Sequence, residues 1–268
     1  MLDLNQEEII NLFDFDNAVQ RIKEAYIACA QGKVQTGEVV HLTFPHTNGD
    51  CHIKSGHIGG TSCYVIKIAS GFYDNPAKGL SSSNGMMLAF SASTGETLAI
   101  LRDEGWLTDI RTAIGGALAT SALARSDASE VLIIGAGTQA RLQAQCIGKL
   151  MKDRALKFNI WGRSQSEAQG LATELNNTGY NSQTISDLDA GVREADIIVT
   201  ATPAKTPLFG NGLVRSGTHI TAIGADCPGK QELPTQLVAD ASLLICDLEG
   251  QSLNHGEFQV ANLQNPAL

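Results

Sequence analysis

The sequence has no paired cysteines. Its six cysteines, Cys29, Cys51, Cys63, Cys146, Cys227 and Cys246, include no CxxC pair. A zinc site or a disulfide framework needs paired spacing, so the thiols read as reduced and no metal site is expected. There is also no apolar run approaching ~20 residues, which excludes a transmembrane helix and with it a membrane partner. The first residues, "MLDLNQEEII", carry acids early and no basic segment ahead of an apolar stretch. That is not a signal peptide, and a cytoplasmic location is expected. Positive charge is scarce as well: 19 Lys and Arg against 28 Asp and Glu leave a net charge of −9. An acidic surface repels phosphate backbones, so no nucleic-acid partner is expected.

What is present is the profile of a globular enzyme, 268 residues with 43% hydrophobic and 18% charged side chains. That length suits one large domain or two small ones. In "NAVQRIKEAYIACAQGK", Val19, Ile22, Tyr26 and Cys29 form an apolar stripe along one helix face. Asp14 or Asp16 can cap its start and Gly32 its end. The period then changes. "GEVVHLTFP", "DCHIKSGHI", "SCYVIKIASG", "NGMMLAFSAS" and "ETLAILRDE" are short β-rich runs parted by turn segments. They predict a mostly antiparallel sheet. Residues 107–125 read as a helix with Thr108 as N-cap and Asp109 at its positive end. From residue 130 strands and helices alternate: "EVLIIGAG", "KFNIWG", "ADIIVTAT", "HITAIGA" and "ASLLICD" read as strands. Near-continuous apolar runs between helices predict a parallel sheet covered on both faces.

"VLIIGAGTQA", residues 131–140, is the G-x-G-x-x-A form of a dinucleotide-binding turn. Gly135 permits the tight turn, Gly137 lets backbone approach a pyrophosphate, and Ala140 lets helix pack on strand. Ala136, Thr138 and Gln139 complete this candidate cofactor loop. The next strand ends in Gly162, Arg163 and Ser164, with no acid to hold ribose hydroxyls. Arg163 can pair with a 2′-phosphate and Ser164 can donate to it, so NADP(H) is favoured and NAD(H) remains possible. Thr202 and Gly224 stand at the carboxyl edges of later strands, where cofactors bind; turn residues are the competing reading for Thr202.

"GAGTQA", "DIRTA", "YVIKIASGF" and "IGADCPGKQEL" together resemble the ornithine cyclodeaminase and mu-crystallin family, in order and spacing over nearly the whole chain. The resemblance implies an α/β protein: an N-terminal α+β substrate and dimerisation domain, placed at 1–113, and a C-terminal Rossmann domain, a doubly wound parallel sheet, at 114–268. It implies a homodimer and hydride chemistry at the α-carbon of amino or imino acids. Lys67 matches the family's substrate lysine, Arg111 its carboxylate-binding arginine, Ser82 its substrate-side hydroxyl, Asp226 its catalytic aspartate and Lys230 its cofactor-contacting lysine. These roles suit the residues. A lysine in mid-strand within an apolar run needs a reason, and polarising an imine is one. An arginine at a helix start offers a fork and a positive dipole to a carboxylate.

Three departures from the family pattern bear on substrate. Val39 stands where the family has an early arginine. Lys54 stands where ornithine cyclodeaminases have a glutamate, and a lysine repels ornithine's distal ammonium. Family members usually continue for several tens of residues past the point where this chain ends, so the family's C-terminal tail is not present in it. The resulting expectation is an NAD(P)H-dependent reductase of α-imino acids, a cyclic ketimine such as Δ1-pyrroline-2-carboxylate first, yielding L-proline. The alternatives are ornithine cyclodeaminase, alanine dehydrogenase, iminosuccinate reductase and a non-catalytic mu-crystallin-like binder. Cys227, with no base beside it, is expected to be a small packing residue.

Overall fold

The computed structural model describes residues 1–265. Two compact units divide the chain, one of Met1–Thr112 and one beginning at Ala113.

The first unit is built on a seven-stranded sheet. Strand β1 (Leu2–Asn5) leads into α1 (Gln6–Leu12) and α2 (Phe15–Ala30). Asn5 and Glu8 close a capping box on α1, and the Asp14 side chain caps α2 as expected. Then come β2 (Val34–Thr36), β3 (Val40–Phe44), β4 (Gly49–Ile58), β5 (Cys63–Phe72), β6 (Ser83–Ser91) and β7 (Thr97–Arg102). The order is β1-β7-β6-β5-β4-β2, with β3 also paired to β4. All pairs are antiparallel except β1 with β7. The central β5 follows from a run rich in β-branched and aromatic residues, Tyr64, Val65, Ile66, Ile68 and Phe72, and β4 and β6 pair along its length.

Helix α3 (Trp106–Leu123) follows. Its start is held by Asp103, whose Oδ2 accepts from the Leu107 N–H at 2.8 Å. Thr108, expected as the cap, lies inside the helix, where its carbonyl accepts from the Thr112 hydroxyl. The chain begins to coil three residues earlier than the Thr108 reading required, so an acid further upstream meets the first free N–H groups.

The second unit alternates β8 (Glu130–Ile134), α4 (Thr138–Leu150), β9 (Lys157–Trp161), α5 (Gln165–Asn177), β10 (Asn181–Thr184), α6 (Leu188–Glu194), β11 (Ile197–Thr200) and β12 (His219–Ala222). The five strands are parallel, in the order β10-β9-β8-β11-β12. This is a Rossmann-type sheet whose order reverses beside β8. Val131, Leu132, Ile133 and Ile134 all have zero exposure, so both faces of β8 are covered. On one face Leu132, Ile134 and Ile198 pack with Val192, Phe209, Leu233 and Val238. Short helices α7 (Thr235–Ala239), α8 (Glu249–Asn254) and α9 (Gln259–Gln264) end the described chain. "ASLLICD", expected as a strand, is irregular, with Leu243 and Ile245 largely exposed. Among the described residues no strand lies beside it to take its backbone hydrogen bonds, and β12 ends the order of the five-stranded sheet.

Candidate active site

In the first unit the sheet register sets the geometry. Lys67 on β5 lies directly opposite Lys54 on β4 and Met87 on β6. Opposed residues in antiparallel strands share a face, so both lysines stand on the same side of the sheet. Burial, then the charge of Arg111, then that of Lys54 press the Lys67 pKa from 10.5 to about 7, against the pull of Asp103 and Asp109. A group that titrates near neutrality can give or take a proton in turnover. Arg111 sits near the start of α3 with its side chain exposed, where its fork can meet a carboxylate. The geometry thus couples Lys67, Lys54 and Arg111. It does not bring Ser82 to them on the ladder. Gly71 pairs with Ser83, four positions along from the Lys67–Met87 pair, and Ser82 lies beyond, its carbonyl accepting from the Phe72 N–H.

Asp103 escaped the sequence reading. It is 1% exposed, anchors α3 and acts electrostatically on Lys67. Its signal was an acid just before Gly105 and a helix.

In the second unit β8 turns into α4 through Gly135 and Gly137. Gly135 has φ 131°, and an added Cβ would meet the Ala201 carbonyl oxygen at 2.6 Å, so only glycine fits. Gly137 caps α4 with no side chain, and a Cβ there would meet nothing within 4 Å. Open space before a helix N-terminus, with Ala140 buried against the strand, fits a dinucleotide pyrophosphate. Ala136 continues the turn, and Thr138 and Gln139 open α4. Arg163 is exposed at the end of β9, while the Ser164 hydroxyl accepts from the Glu167 N–H and so also caps α5.

At the ends of β11 and β12 the unexpected residue is Glu232, which has zero exposure. Its carboxylate accepts from the Thr200 hydroxyl, the Thr202 N–H and hydroxyl, all at 2.7 Å, and the Gly224 N–H at 2.9 Å. Burial raises its pKa against these four donors. Thr202, expected to face the cofactor, gives its hydroxyl to Glu232. Gly224 has a packing reason of its own: a Cβ would strike the Thr202 carbonyl and the Glu232 carboxyl group. The Glu257 carboxylate accepts from the Glu232 and Leu233 N–H groups. Burial lifts the Glu257 pKa to about 7.

This scaffold carries the turn 225–231. Lys230 is buried and donates to Asp226 Oδ1 at 2.6 Å, whereas the Asp226 side chain is 63% exposed. Lys230, expected on the cofactor, therefore braces Asp226. Gln259 spans the turn from below, accepting from the Gly229 N–H and donating to the Lys230 carbonyl. Glu232, Glu257 and Gln259 were not singled out from sequence. Glu232 stood inside the quoted "KQEL", and an acid followed by Leu-Pro was its only mark.

A family model described as the ornithine cyclodeaminase/mu-crystallin family matches residues 2–267. The chain belongs to that family. It is similar to an uncharacterized cyclodeaminase of Sinorhizobium fredii, 36% identical over 261 residues, which cover 96% of this chain and 78% of the relative. It is similar in structure to an archaeal alanine dehydrogenase dimer with bound NAD, with a TM-score of 0.89 and 30% identity over 99% of this chain and 80% of the other. A Thermococcus litoralis Δ1-pyrroline-2-carboxylate reductase in complex with NADH and L-proline aligns with a TM-score of 0.90 and 26% identity, over 98% of this chain and 81% of the other. In this ornithine cyclodeaminase/mu-crystallin family member, Lys67 and Arg111 lie in one unit and the dinucleotide turn and Asp226 in the other.

Proposed function

We propose that the chain is a nicotinamide-dependent reductase of α-imino acids, with a cyclic ketimine such as Δ1-pyrroline-2-carboxylate as first substrate and L-proline as product. The observation that carries this is Lys67, half-buried in mid-strand opposite Lys54, its pKa pressed to about 7 by burial and by the charges of Arg111 and Lys54. The family relatives, which include a pyrroline-2-carboxylate reductase holding L-proline, support the same class. Lys54 disfavours ornithine, because it would face a distal ammonium with like charge.

The first unit, residues 1–113 in this reading, binds substrate. Arg111 pairs with the α-carboxylate. Lys67 donates its proton to the imine nitrogen and polarises the C=N bond. The Gly135–Ala140 turn would hold the pyrophosphate of a nicotinamide cofactor, which would supply the hydride for C2. Asp226 handles the nitrogen proton by the family pattern, and Lys230 fixes its position. The exposed Arg163 and the lack of an acid after β9 favour NADP(H). The neighbours hold NAD and NADH, so both must be tried. The first unit leaves Val40, Leu42 and Phe44 between 41% and 49% exposed on one sheet face, which supports homodimerisation.

The test follows NADPH and NADH oxidation optically with pyrroline-2-carboxylate, piperideine-2-carboxylate, pyruvate plus ammonia, and oxaloacetate plus ammonia. Pyrroline-2-carboxylate is expected to turn over fastest. Proline formed from ornithine with NAD+ and no external reductant would replace this reading by cyclodeamination. Arg163→Ala should raise the KM for NADPH about tenfold and leave that for NADH unchanged. Equal KM values would remove the 2′-phosphate argument. Asp226→Asn should abolish turnover while nucleotide binding persists.

A further inference from the structure

We propose that His41, Asp50 and His52 form a binding site for a divalent first-row transition-metal ion, of which Zn2+ is the natural probe. His41 on β3 lies directly opposite His52 on β4, and Asp50 precedes His52 by two residues on the same face. The two imidazoles stack with centroids 4.3 Å apart and planes 14° from parallel. His52 Nε2 is 3.7 Å from Asp50 Oδ1. One candidate ligand atom from each of the three residues lies within 4.8 Å of the others. In a tetrahedral site with bonds of about 2.0–2.1 Å, ligand atoms stand roughly 3.3–3.4 Å apart. Small side-chain rotations therefore close the set.

Four further features fit an ion. His41 Nε2 is buried with no hydrogen-bond partner, an unmet polar atom that ligation would satisfy. The Tyr73 hydroxyl donates to Asp50 Oδ2 at 3.2 Å, which turns Oδ1 towards His52 in the manner of an outer partner that orients a ligand. Gly71 pairs with Asp50, and a Cβ there would press on Asp50 Oδ1 and the Tyr73 hydroxyl, both at 3.3 Å. Glycine keeps that space clear. The side chains of His52 and Asp50 are 16% and 14% exposed, sheltered yet reachable. Two imidazoles and one carboxylate suit zinc, nickel or iron better than the oxygen-seeking Mg2+ or Ca2+. Three protein ligands leave a fourth position for water or an anion. Cysteine spacing could not reveal this group: a hairpin joins residues eleven apart, and no thiol takes part.

The experiment titrates Zn2+ alone into chelator-treated full-length protein by calorimetry, with no substrate or nucleotide, so its outcome is independent of the proposed reaction. One Zn2+ per chain is expected. His41→Gln and His52→Gln, which keep the side-chain bulk in the sheet, should each weaken binding more than about tenfold. Cys51→Ser, on the opposite sheet face, should bind as the parent does. Co2+ loaded in place of Zn2+ should show visible bands without thiolate charge transfer. Circular dichroism melts establish that each variant is folded. The proposal is overturned by the absence of stoichiometric binding, by equal affinity in both folded histidine variants, or by loss of binding in Cys51→Ser.

Discussion

Lys67 owes its lowered pKa first to burial and then to the charges of Arg111 and Lys54, and those charges can be removed one at a time. In the proposed reduction its protonated form would be the active one, so kcat/KM should fall as pH rises through about 7. Lys54→Met removes a repelling charge and should move that fall to higher pH. A profile unchanged in Lys54→Met would sever the two lysines. Lys67→Met should lower kcat/KM by about 10²–10⁴-fold. The same residue has a stability signature. Its folded pKa lies below the unfolded 10.5, so the unfolded chain holds more protons between about 7 and 10.5. Stability should therefore rise with pH across that window, and this rise should be missing in Lys67→Met. Lys67, Arg111 and Asp226 could be singled out in the sequence because each is out of place in its run: a lysine among Ile and Val, an arginine near a helix start, an acid just past a strand. Glu232 and Asp103 were not. An acid looks the same in sequence whether it faces water or four buried donors.

At the scale of elements, the hub on Glu232 ties the ends of β11 and β12 to the Asp226 turn. Glu232→Gln leaves one acceptor oxygen and aims an amide N–H2 at N–H and O–H donors. It should cost about 1–3 kcal/mol, read as a lower urea midpoint at constant slope. No change in midpoint would mean that the hub is dispensable. Strand–helix alternation from residue 130 was readable because buried parallel strands are continuous apolar runs. The reading failed at "ASLLICD", where an apolar run had no neighbouring strand to join. It also missed β1, β10 and the short α7 to α9, which have four to six residues each, too few to show a period. Thr202 and Lys230 were read as cofactor contacts; the structure sets the Thr202 hydroxyl on Glu232 and the Lys230 ammonium on Asp226, partners that a sequence does not specify because one is distant along the chain and the other depends on the course of a turn.

Across the whole molecule the two units differ in what they bury. The second closes a core on both faces of β8. In the first, the buried apolar side chains are Ile9, Ala99 and Ile110, none of them fully closed off. Its sheet has a face carrying Lys67 and an opposite face carrying Val40, Leu42 and Phe44. Sedimentation should show a dimer for the parent chain, and Leu42→Asp should shift it towards monomer. A Leu42→Asp variant that sediments as the parent does would place the subunit contact elsewhere.

The inward course of Glu232 also bears on how such a protein can be altered. The path of residues 225–231 is set by backbone N–H groups, the Gln259 amide and buried carboxylates, all on the concealed side of the turn. Substitution at Cys227, for example to serine, should leave turnover nearly unchanged. A library that varies Cys227 and Pro228, while keeping Asp226, Gly229, Lys230, Glu232, Glu257 and Gln259, would sample new substrates on a fixed frame.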